Sequence, residues 1–270
     1  MKQYCVLYNP LAGNGNGRAA IRRLPELLPD SELRFYDLTE IASLPSFLAK
    51  LDPKAALLLA GGDGTLAHFV ASVSALPPRG EVYYYATGTK NDFWRDLGRQ
   101  PGDPPVRINR YLDRLPTARV GEAEHRFLDG VTLGAVTANE LRQVRPTAVT
   151  VTVDGKTHTY RGARLVAVTY GRYCQGLMPS PDQSRLDEER TLSVTVLHGV
   201  GGFLGAARLL RALRNGRGGR YPAHIAELRG KTIRVETDAP TVGRCDSEPL
   251  GGLSALANGA VLDFSIPVGA

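Results

Sequence analysis

One short stretch of the chain combines the residue types that phosphate chemistry requires. Two glycines, an aspartate, a third glycine and a threonine follow one another at residues 61–65, directly after the apolar residues 57–60. From Leu66 onward, apolar residues recur at helical spacing, at Phe69, Val70, Val73 and Leu76. The pattern predicts a buried strand, a tight turn, and a helix whose first N–H groups are free to bind an anion.

Asp63 is the unusual member of this turn, because a carboxylate repels a phosphate group. Its presence is explained if a divalent cation, or a hydroxyl that must lose a proton, lies between the two. The alternative is that Asp63 or Thr65 only caps the helix, although capping does not require three glycines around one acid. The first interpretation is therefore preferred.

Two further strand-to-helix turns carry similar residues. Residues 4–8 and residues 82–86 read as strands, and each is followed by a glycine-containing polar loop. One such loop could be a flexible turn, but three of the same kind predict a nucleotide site, because loops that follow parallel strands share one edge of the sheet. The residues assigned to this site are Asn9, Gly13, Gly17, Arg18, Gly61, Gly62, Asp63, Gly64, Thr65, Gly88, Thr89 and Asn91.

Composition places the chain among ordinary globular proteins. It has 270 residues, 43% hydrophobic content and a formal net charge of +6. The three scattered cysteines lack metal-ligand spacing and favour a reducing compartment, so we expect a cytoplasmic protein. No signal peptide is visible, and no apolar run approaches the length of a membrane span.

The order of predicted elements divides the chain into two domains. Strands and helices alternate in residues 1–115, which predicts a Rossmann-like α/β domain with a parallel sheet. Strand patterns dominate residues 116–270 and predict a β-sandwich-like domain. They include a predicted hairpin whose turn is formed by Asp154 and Gly155. The last strand, near residues 260–266, could instead return to the first domain.

The three glycine motifs resemble those of the diacylglycerol kinase catalytic-domain family, to which bacterial lipid kinases and sphingosine kinases belong. The Gly-Gly-Asp-Gly-Thr motif at residues 61–65 is shared with NAD kinases, whereas the Gly-Thr-x-Asn-Asp-Phe motif at residues 88–93 is typical of the lipid kinases. The resemblance implies ATP and Mg²⁺ as cofactors, a lipid as phosphoryl acceptor, and an active site between a Rossmann-like domain and a β-sandwich.

The resemblance also assigns catalytic roles. The Asp-Ser-Glu-Pro sequence at residues 246–249 is similar to the family's Asp-Gly-Glu-Pro motif, which makes Glu248 the expected general base. Asp63 would hold magnesium or orient the nucleophile, and Asp246 would orient Glu248 or contact the metal. Some bacterial members bind a structural magnesium near the position of Glu188 and Glu189. Arg190 stands here in place of the family's glycine, so the survival of that site stays open.

A basic tract at residues 208–220 holds five arginines on and after an amphipathic segment that begins near Phe203. One interpretation is that the tract attaches the enzyme peripherally to an anionic membrane surface. The other is a solvated helix face followed by a mobile loop. No aromatic residue is interleaved with these arginines, which argues against nucleic acid as a partner.

The sequence thus predicts an ATP- and magnesium-dependent kinase for a hydroxyl of a diacylglycerol-like or long-chain lipid. Two alternatives stay open: a soluble kinase for a small molecule, and a nucleotide- or lipid-binding protein without turnover. A homodimer is a further option that the sequence does not decide.

Overall fold

The computed structural model describes residues 1–73, 80–113, 115–185, 189–239, 241–246, 248–250 and 259–267. The chain divides into two compact units, Met1–Asp113 and Arg114–Ala270. Each unit is described by itself below.

The first unit contains a five-stranded sheet in the order β2-β1-β3-β4-β5. The first four of these strands in the chain run parallel to their neighbours, and the short fifth strand adds an antiparallel edge. The central strand β3 is buried along its whole length, because helices cover both faces of a parallel sheet. The strands are β1 (Lys2–Tyr8), β2 (Ser31–Asp37), β3 (Ala56–Gly61), β4 (Val82–Ala86) and β5 (Val106–Arg107).

The helices of the first unit are short, apart from the one that follows the central strand. That helix, α5, begins at Asp63 and buries Leu66, Phe69, Val70 and Val73, as the apolar spacing predicts. The predicted position Leu76 lies outside the described residues. The described helices are α1 (Ala12–Gly15), α2 (Gly17–Ile21), α3 (Leu24–Leu27), α4 (Leu44–Leu48), α5 (Asp63–Val73), α6 (Asp92–Asp96) and α7 (Asn109–Leu112), with a 3₁₀ turn at Leu38–Glu40.

The second unit contains two six-stranded antiparallel sheets. The order is β10-β9-β14-β17-β6-β7 in one sheet and β13-β12-β11-β8-β15-β16 in the other. The first sheet uses β6 (Thr117–Val120), β7 (Ala123–Arg126), β9 (Thr147–Val153), β10 (Lys156–Ala163), β14 (Thr232–Thr237) and β17 (Val261–Ser265). The second uses β8 (Gly130–Gly134), β11 (Leu165–Thr169), β12 (Leu192–Leu197), β13 (Ile225–Gly230), β15 (Gly243–Cys245) and β16 (Glu248–Pro249).

The inner faces of these two sheets form one apolar core. Alternate residues of β9, such as Val149 and Val151, pack in the same cluster as Val194 and Val196 of β12. Phe127 meets Phe264 edge to face, with ring centroids 6.2 Å apart. Alternation of this kind is what a two-sheet sandwich requires, so the predicted pairing of a Rossmann-like domain with a β-sandwich-like domain is confirmed.

Local turn chemistry accounts for several boundaries. The Asp154-Gly155 hairpin between β9 and β10 forms as predicted, with positive φ at both residues. The last described strand, β17, lies between β14 and β6, so the expectation that it could return to the first domain is corrected. The edge strands β7 and β13 were not predicted, because most of their side chains are exposed or half-buried and give no continuous apolar signal.

Two α-helices accompany the sandwich in the described part of the unit, α8 (Ala138–Gln143) and α9 (Phe203–Arg214). The first begins at Ala138, because Thr137 and Glu140 form a capping box that sets its N-terminus. No helix among the described residues is both long enough and apolar enough to cross a bilayer.

Candidate nucleotide site

The loop after β1 is fixed to the loop after β3. Asn9 is the first residue beyond β1, and its Nδ2 donates to Thr65 Oγ1 at 2.9 Å. The other side-chain atom of Asn9, Oδ1, accepts from the backbone N–H of Leu11 at 3.0 Å and shapes the turn. Both predicted residues therefore position the backbone of two glycine loops.

The same first loop also meets the loop after β4. Gly13 has φ +61°, and a Cβ there would stand 2.5 Å from the carbonyl oxygen of Thr87. Only glycine combines that backbone angle with so close an approach. Gly17 follows as the first residue of α2.

The second and third loops approach each other closely at two glycines. A Cβ built on Gly88 would lie 2.5 Å from the Cα of Gly62 and 2.7 Å from Asn91 Oδ1. The backbone N–H of Thr87 donates to the Gly61 carbonyl at 2.8 Å, and so does the hydroxyl of Tyr84 at 3.0 Å. The three glycine loops thus contact one another pairwise at the carboxyl ends of β1, β3 and β4.

Asn91 completes the third loop in a left-handed conformation, with φ +50°. Its Nδ2 donates to the Gly88 carbonyl at 2.8 Å. Its Oδ1 and the Oγ1 of Thr87 are buried and accept or donate no hydrogen bond among the described residues. Buried polar atoms without partners are costly, and a ligand at the loops would relieve that cost. Thr89 is exposed beside them.

Asp63 occupies the first position of α5 and is half-buried. Its Oδ1 accepts from the backbone N–H of Phe93, in α6, at 3.4 Å. The carboxyl group therefore lies where the second and third loops meet, with Gly64 and Thr65 following it in the helix. Helix N-terminal N–H groups, closely spaced glycine backbones and the unpartnered Thr87 hydroxyl together fit a phosphate group.

Arg18, which the sequence assigns to the nucleotide site, forms an ion pair with an acid of β2. Its Nη2 pairs with Asp37 Oδ2 at 3.0 Å, at the end of β2, and its guanidinium lies 6.0 Å from the centre of the Tyr8 ring. Burial would raise the pKa of Asp37, but hydrogen bonds from Thr39 and Arg18 outweigh it and hold that pKa below its usual range. Arg18 therefore contacts the last residues of β1 and β2.

In the second unit, Asp246 holds a turn together. It is buried, has φ +45°, and its carboxyl group accepts the backbone N–H groups of Leu128, Asp129 and Gly130. Burial raises the pKa of this carboxyl group, while the three N–H donors lower it. With its oxygens used in this way, Asp246 serves to position the 128–130 turn.

A buried ion pair involves the same turn. The guanidinium of Arg185 bonds to the carboxyl group of Asp129 and to the carbonyl of Leu128, and all but about one-twentieth of Arg185 is buried. Arg185 also lowers the pKa of Asp246 through its charge. Neither Asp129 nor Arg185 was singled out from the sequence, because an isolated acid and an isolated arginine 56 residues apart carry no motif.

Glu248 is exposed in the short strand β16, opposite Cys245 of β15. Ser247, between Glu248 and Asp246, lies outside the described residues. So does Glu188, one of the two acids near the structural magnesium site whose survival the sequence does not decide. Glu189 and Arg190 are both exposed. Within the described part of the chain, no three histidine, cysteine, aspartate or glutamate side chains are grouped so that they could hold a metal ion.

Two family models match the chain. Residues 3–122 match the diacylglycerol kinase catalytic domain, and residues 116–262 match the YegS C-terminal NAD kinase beta sandwich-like domain. The second match alone covers more than half of the chain. The chain belongs to the family that pairs a diacylglycerol kinase catalytic domain with a YegS C-terminal beta sandwich-like domain.

Individual relatives of this family are distant. The chain is 25% identical over 194 residues to a diacylglycerol kinase of Staphylococcus carnosus (strain TM300), covering 69% of this chain and 57% of that protein. It is 28% identical over 137 residues to a diacylglycerol kinase of Staphylococcus haemolyticus (strain JCSC1435), covering 48% and 40%. The chain therefore spans about half the length of the curated relatives that it matches.

A solved structure described as a diacylglycerol kinase from Bacillus anthracis (strain Sterne) superposes with a TM-score of 0.64. The superposition covers 98% of this chain and 93% of that one at 20% identity. At this identity the likeness shows the fold. Together with the family models it places the glycine loops in the diacylglycerol kinase catalytic domain and Asp246 in the sandwich domain of the family.

Proposed function

We propose that this protein is an ATP- and magnesium-dependent lipid kinase, cytoplasmic and peripherally attached to membrane. Its acceptor would be a hydroxyl group of a diacylglycerol-like or related long-chain lipid. The observation that carries the proposal is the pairwise contact of three glycine loops, with Gly62 and Gly88 touching through backbone alone. Membership of the diacylglycerol kinase family and the names of the relatives support the choice of acceptor.

The loops would bind the phosphates of ATP. The N-terminus of α5 and the hydroxyl of Thr87 would hydrogen-bond to phosphate oxygens, while Asn91 Oδ1, an acceptor, would bind an N–H or O–H donor of the nucleotide. Magnesium bound to a nucleotide commonly needs only one or two protein carboxylates, since phosphate oxygens fill other positions. Asp63 lies at the loops and would hold the ion, which neutralises phosphate charge.

Transfer would follow from attack of the lipid hydroxyl oxygen on the γ-phosphorus. The bond between that phosphorus and the β–γ bridging oxygen breaks, and ADP leaves. Glu248, exposed and therefore open to a substrate, would accept the hydroxyl proton. Asp246 would act as a positioning residue through the 128–130 turn, rather than by contact with the reacting atoms.

The test is transfer of radiolabelled γ-phosphate from ATP into a panel of lipids in mixed micelles, with small polyols and nucleosides in parallel. Asp63→Asn should lower kcat by about 100-fold or more, and Glu248→Gln by about 100- to 10,000-fold. Asp63→Asn should also raise the magnesium concentration needed for half-maximal rate. The controls are Asp30→Asn and Glu122→Gln, since both residues are exposed in turns.

Three results are informative. Label in one lipid, lost in both variants and kept in the controls, supports the proposal and names the acceptor. Label only in a soluble alcohol supports the small-molecule kinase. No label with ATP binding intact supports a binding protein without turnover. Light scattering on the same preparation distinguishes a monomer from the homodimer.

A further inference from the structure

The positive charge of this protein is concentrated in one segment of the second unit. Residues 191–226 contain five arginines and no aspartate, glutamate or lysine, and the rest of the chain is within one charge of neutral. All five arginines are exposed: Arg208, Arg211, Arg214, Arg217 and Arg220. Three of them lie on helix α9, and two on the turn that follows it.

One side of α9 is occupied by the protein core. Ala206, Leu209, Leu210 and Leu213 are buried and pack in one cluster with residues of β11, β12 and β13. The apolar side is therefore not available to insert into a lipid layer, as it would be in a helix that folds on a membrane. Any partner of α9 must meet its opposite side.

That opposite side is a stripe with one apolar residue at its start. Leu204, Arg208, Arg211 and Asn215 recur at i, i+4, i+7 and i+11, which places them along one face of the helix. Leu204 is 82% exposed, the most exposed large apolar side chain after Met1 among the described residues. The stripe therefore offers several positive charges beside one side chain that gains by leaving water.

The turn after α9 is held in place by backbone hydrogen bonds. The N–H of Arg217 donates to the Ala212 carbonyl at 2.8 Å, and the N–H of Tyr221 donates to the Gly218 carbonyl at 2.9 Å. Gly218 packs on Leu213 and Ile225, and the guanidinium of Arg208 lies 5.8 Å from the centre of the Tyr221 ring. Helix and turn thus form one surface, here termed the arginine surface and defined by Leu204, Arg208, Arg211, Arg214, Arg217 and Arg220.

We propose that the arginine surface docks this protein on the anionic headgroups of a lipid bilayer, with Leu204 entering the headgroup layer. Charge complementarity supports this partner, since each arginine near an anionic surface strengthens binding and no nearby acid in the segment opposes it. A nucleic acid would use the charge but not Leu204. The proposal rests on the peripheral membrane attachment proposed above and deepens it by naming the surface responsible. Docking is measured without nucleotide or acceptor, so its failure is distinguishable from a failure of the kinase activity.

The experiment is sedimentation of the full chain with vesicles of phosphatidylcholine containing 30% phosphatidylglycerol (roughly the anionic content of a charged leaflet). The test variant is Arg208→Gln with Arg211→Gln and Arg214→Gln, and a second variant is Leu204→Ser. The matched control removes three exposed charges from the first unit, by Arg22→Gln, Lys54→Gln and Arg99→Gln. Circular dichroism and thermal melting establish that every variant is folded.

We expect native protein to bind the anionic vesicles and to bind pure phosphatidylcholine far more weakly. The triple arginine variant should bind about 100-fold more weakly, and Leu204→Ser about 10-fold, while the control changes by less than threefold. Native-like binding of the folded triple variant would overturn the proposal. So would an equal loss in the control, which would show a general charge effect, or tighter binding to duplex DNA than to vesicles at the same salt.

Discussion

Replacing Gly88 by alanine tests whether the contact between the second and third glycine loops creates the nucleotide site. Gly88 does not have a left-handed backbone, so alanine introduces no strain in φ. The added Cβ would lie 2.5 Å from the Cα of Gly62, whereas ordinary contacts of this kind begin at 3.4 Å. The two loops must therefore separate by roughly 0.9 Å, since both atoms belong to backbone or are bonded to it.

A displacement of this size has two measurable consequences. Overpacking of a close contact costs about 1–3 kcal/mol in the free energy of unfolding. Misplacement of binding groups by about 1 Å costs up to about 100-fold in function, which is about 2.7 kcal/mol. We therefore expect Gly88→Ala to weaken ATP binding by about 10- to 100-fold and to lower stability modestly. Calorimetric titration gives the first quantity and urea denaturation the second.

The matched control is Gly201→Ala, because a Cβ on Gly201 meets no atom within 4 Å and its backbone is not left-handed. That variant should keep native stability and native ATP affinity. If the folded Gly88→Ala protein binds ATP within twofold of native, the loop contact does not form the nucleotide site and the reasoning fails. Reduced stability with unchanged affinity would lead to the same conclusion, since it would show a purely structural contact.

Two further predictions concern the second unit. Arg185→Met should lower the free energy of unfolding by about 3–5 kcal/mol, because it leaves the Asp129 carboxylate buried without its cation, and urea denaturation would measure it. Arg185→Lys keeps the charge and should lose less, so equal losses would contradict the ion-pair explanation. Burial would raise the pKa of Glu140, but N–H groups of Val136 and Thr137 and the charge of Arg244 lower it overall. Because its pKa is lowered in the folded state, ionised Glu140 stabilises the fold at pH values above the unfolded-state pKa of about 4.3. This stabilisation is lost as the pH falls through the folded-state pKa. The stability difference between native protein and Glu140→Gln should therefore be full at pH 7 and shrink below about pH 4.3, and a constant difference down to pH 3 would refute this.

The glycine loops were predictable from sequence because their chemistry is local. A buried strand, a tight turn and a helix start follow one another within a dozen residues around Asp63, so periodicity and glycine placement suffice. The Asp154-Gly155 hairpin is predictable for the same reason, since two adjacent residues with positive φ determine the turn. Family motifs added the expected roles of Asp63, Asp246 and Glu248, which stay predictions.

Other features depend on residues that are far apart in the chain. Nothing in the sequence around Arg18 indicates that its guanidinium pairs with Asp37 and lies beside the Tyr8 ring. Edge strands such as β7 and β13 escape a search for apolar runs, because an edge strand keeps much of its surface in water.

The sequence alone determined that three glycine-containing turns occur on alternating strands and helices, and that a β-rich unit follows them. Tertiary structure decided which of their atoms touch. The close approach of Gly62 to Gly88 links the ends of two neighbouring strands of one sheet. The hydrogen bonds from residues 128–130 to the Asp246 carboxyl group link β15 to the start of β8 across more than 110 residues. Contacts of that separation arise only when strands pair in register, because pairing brings distant backbone groups within hydrogen-bonding distance.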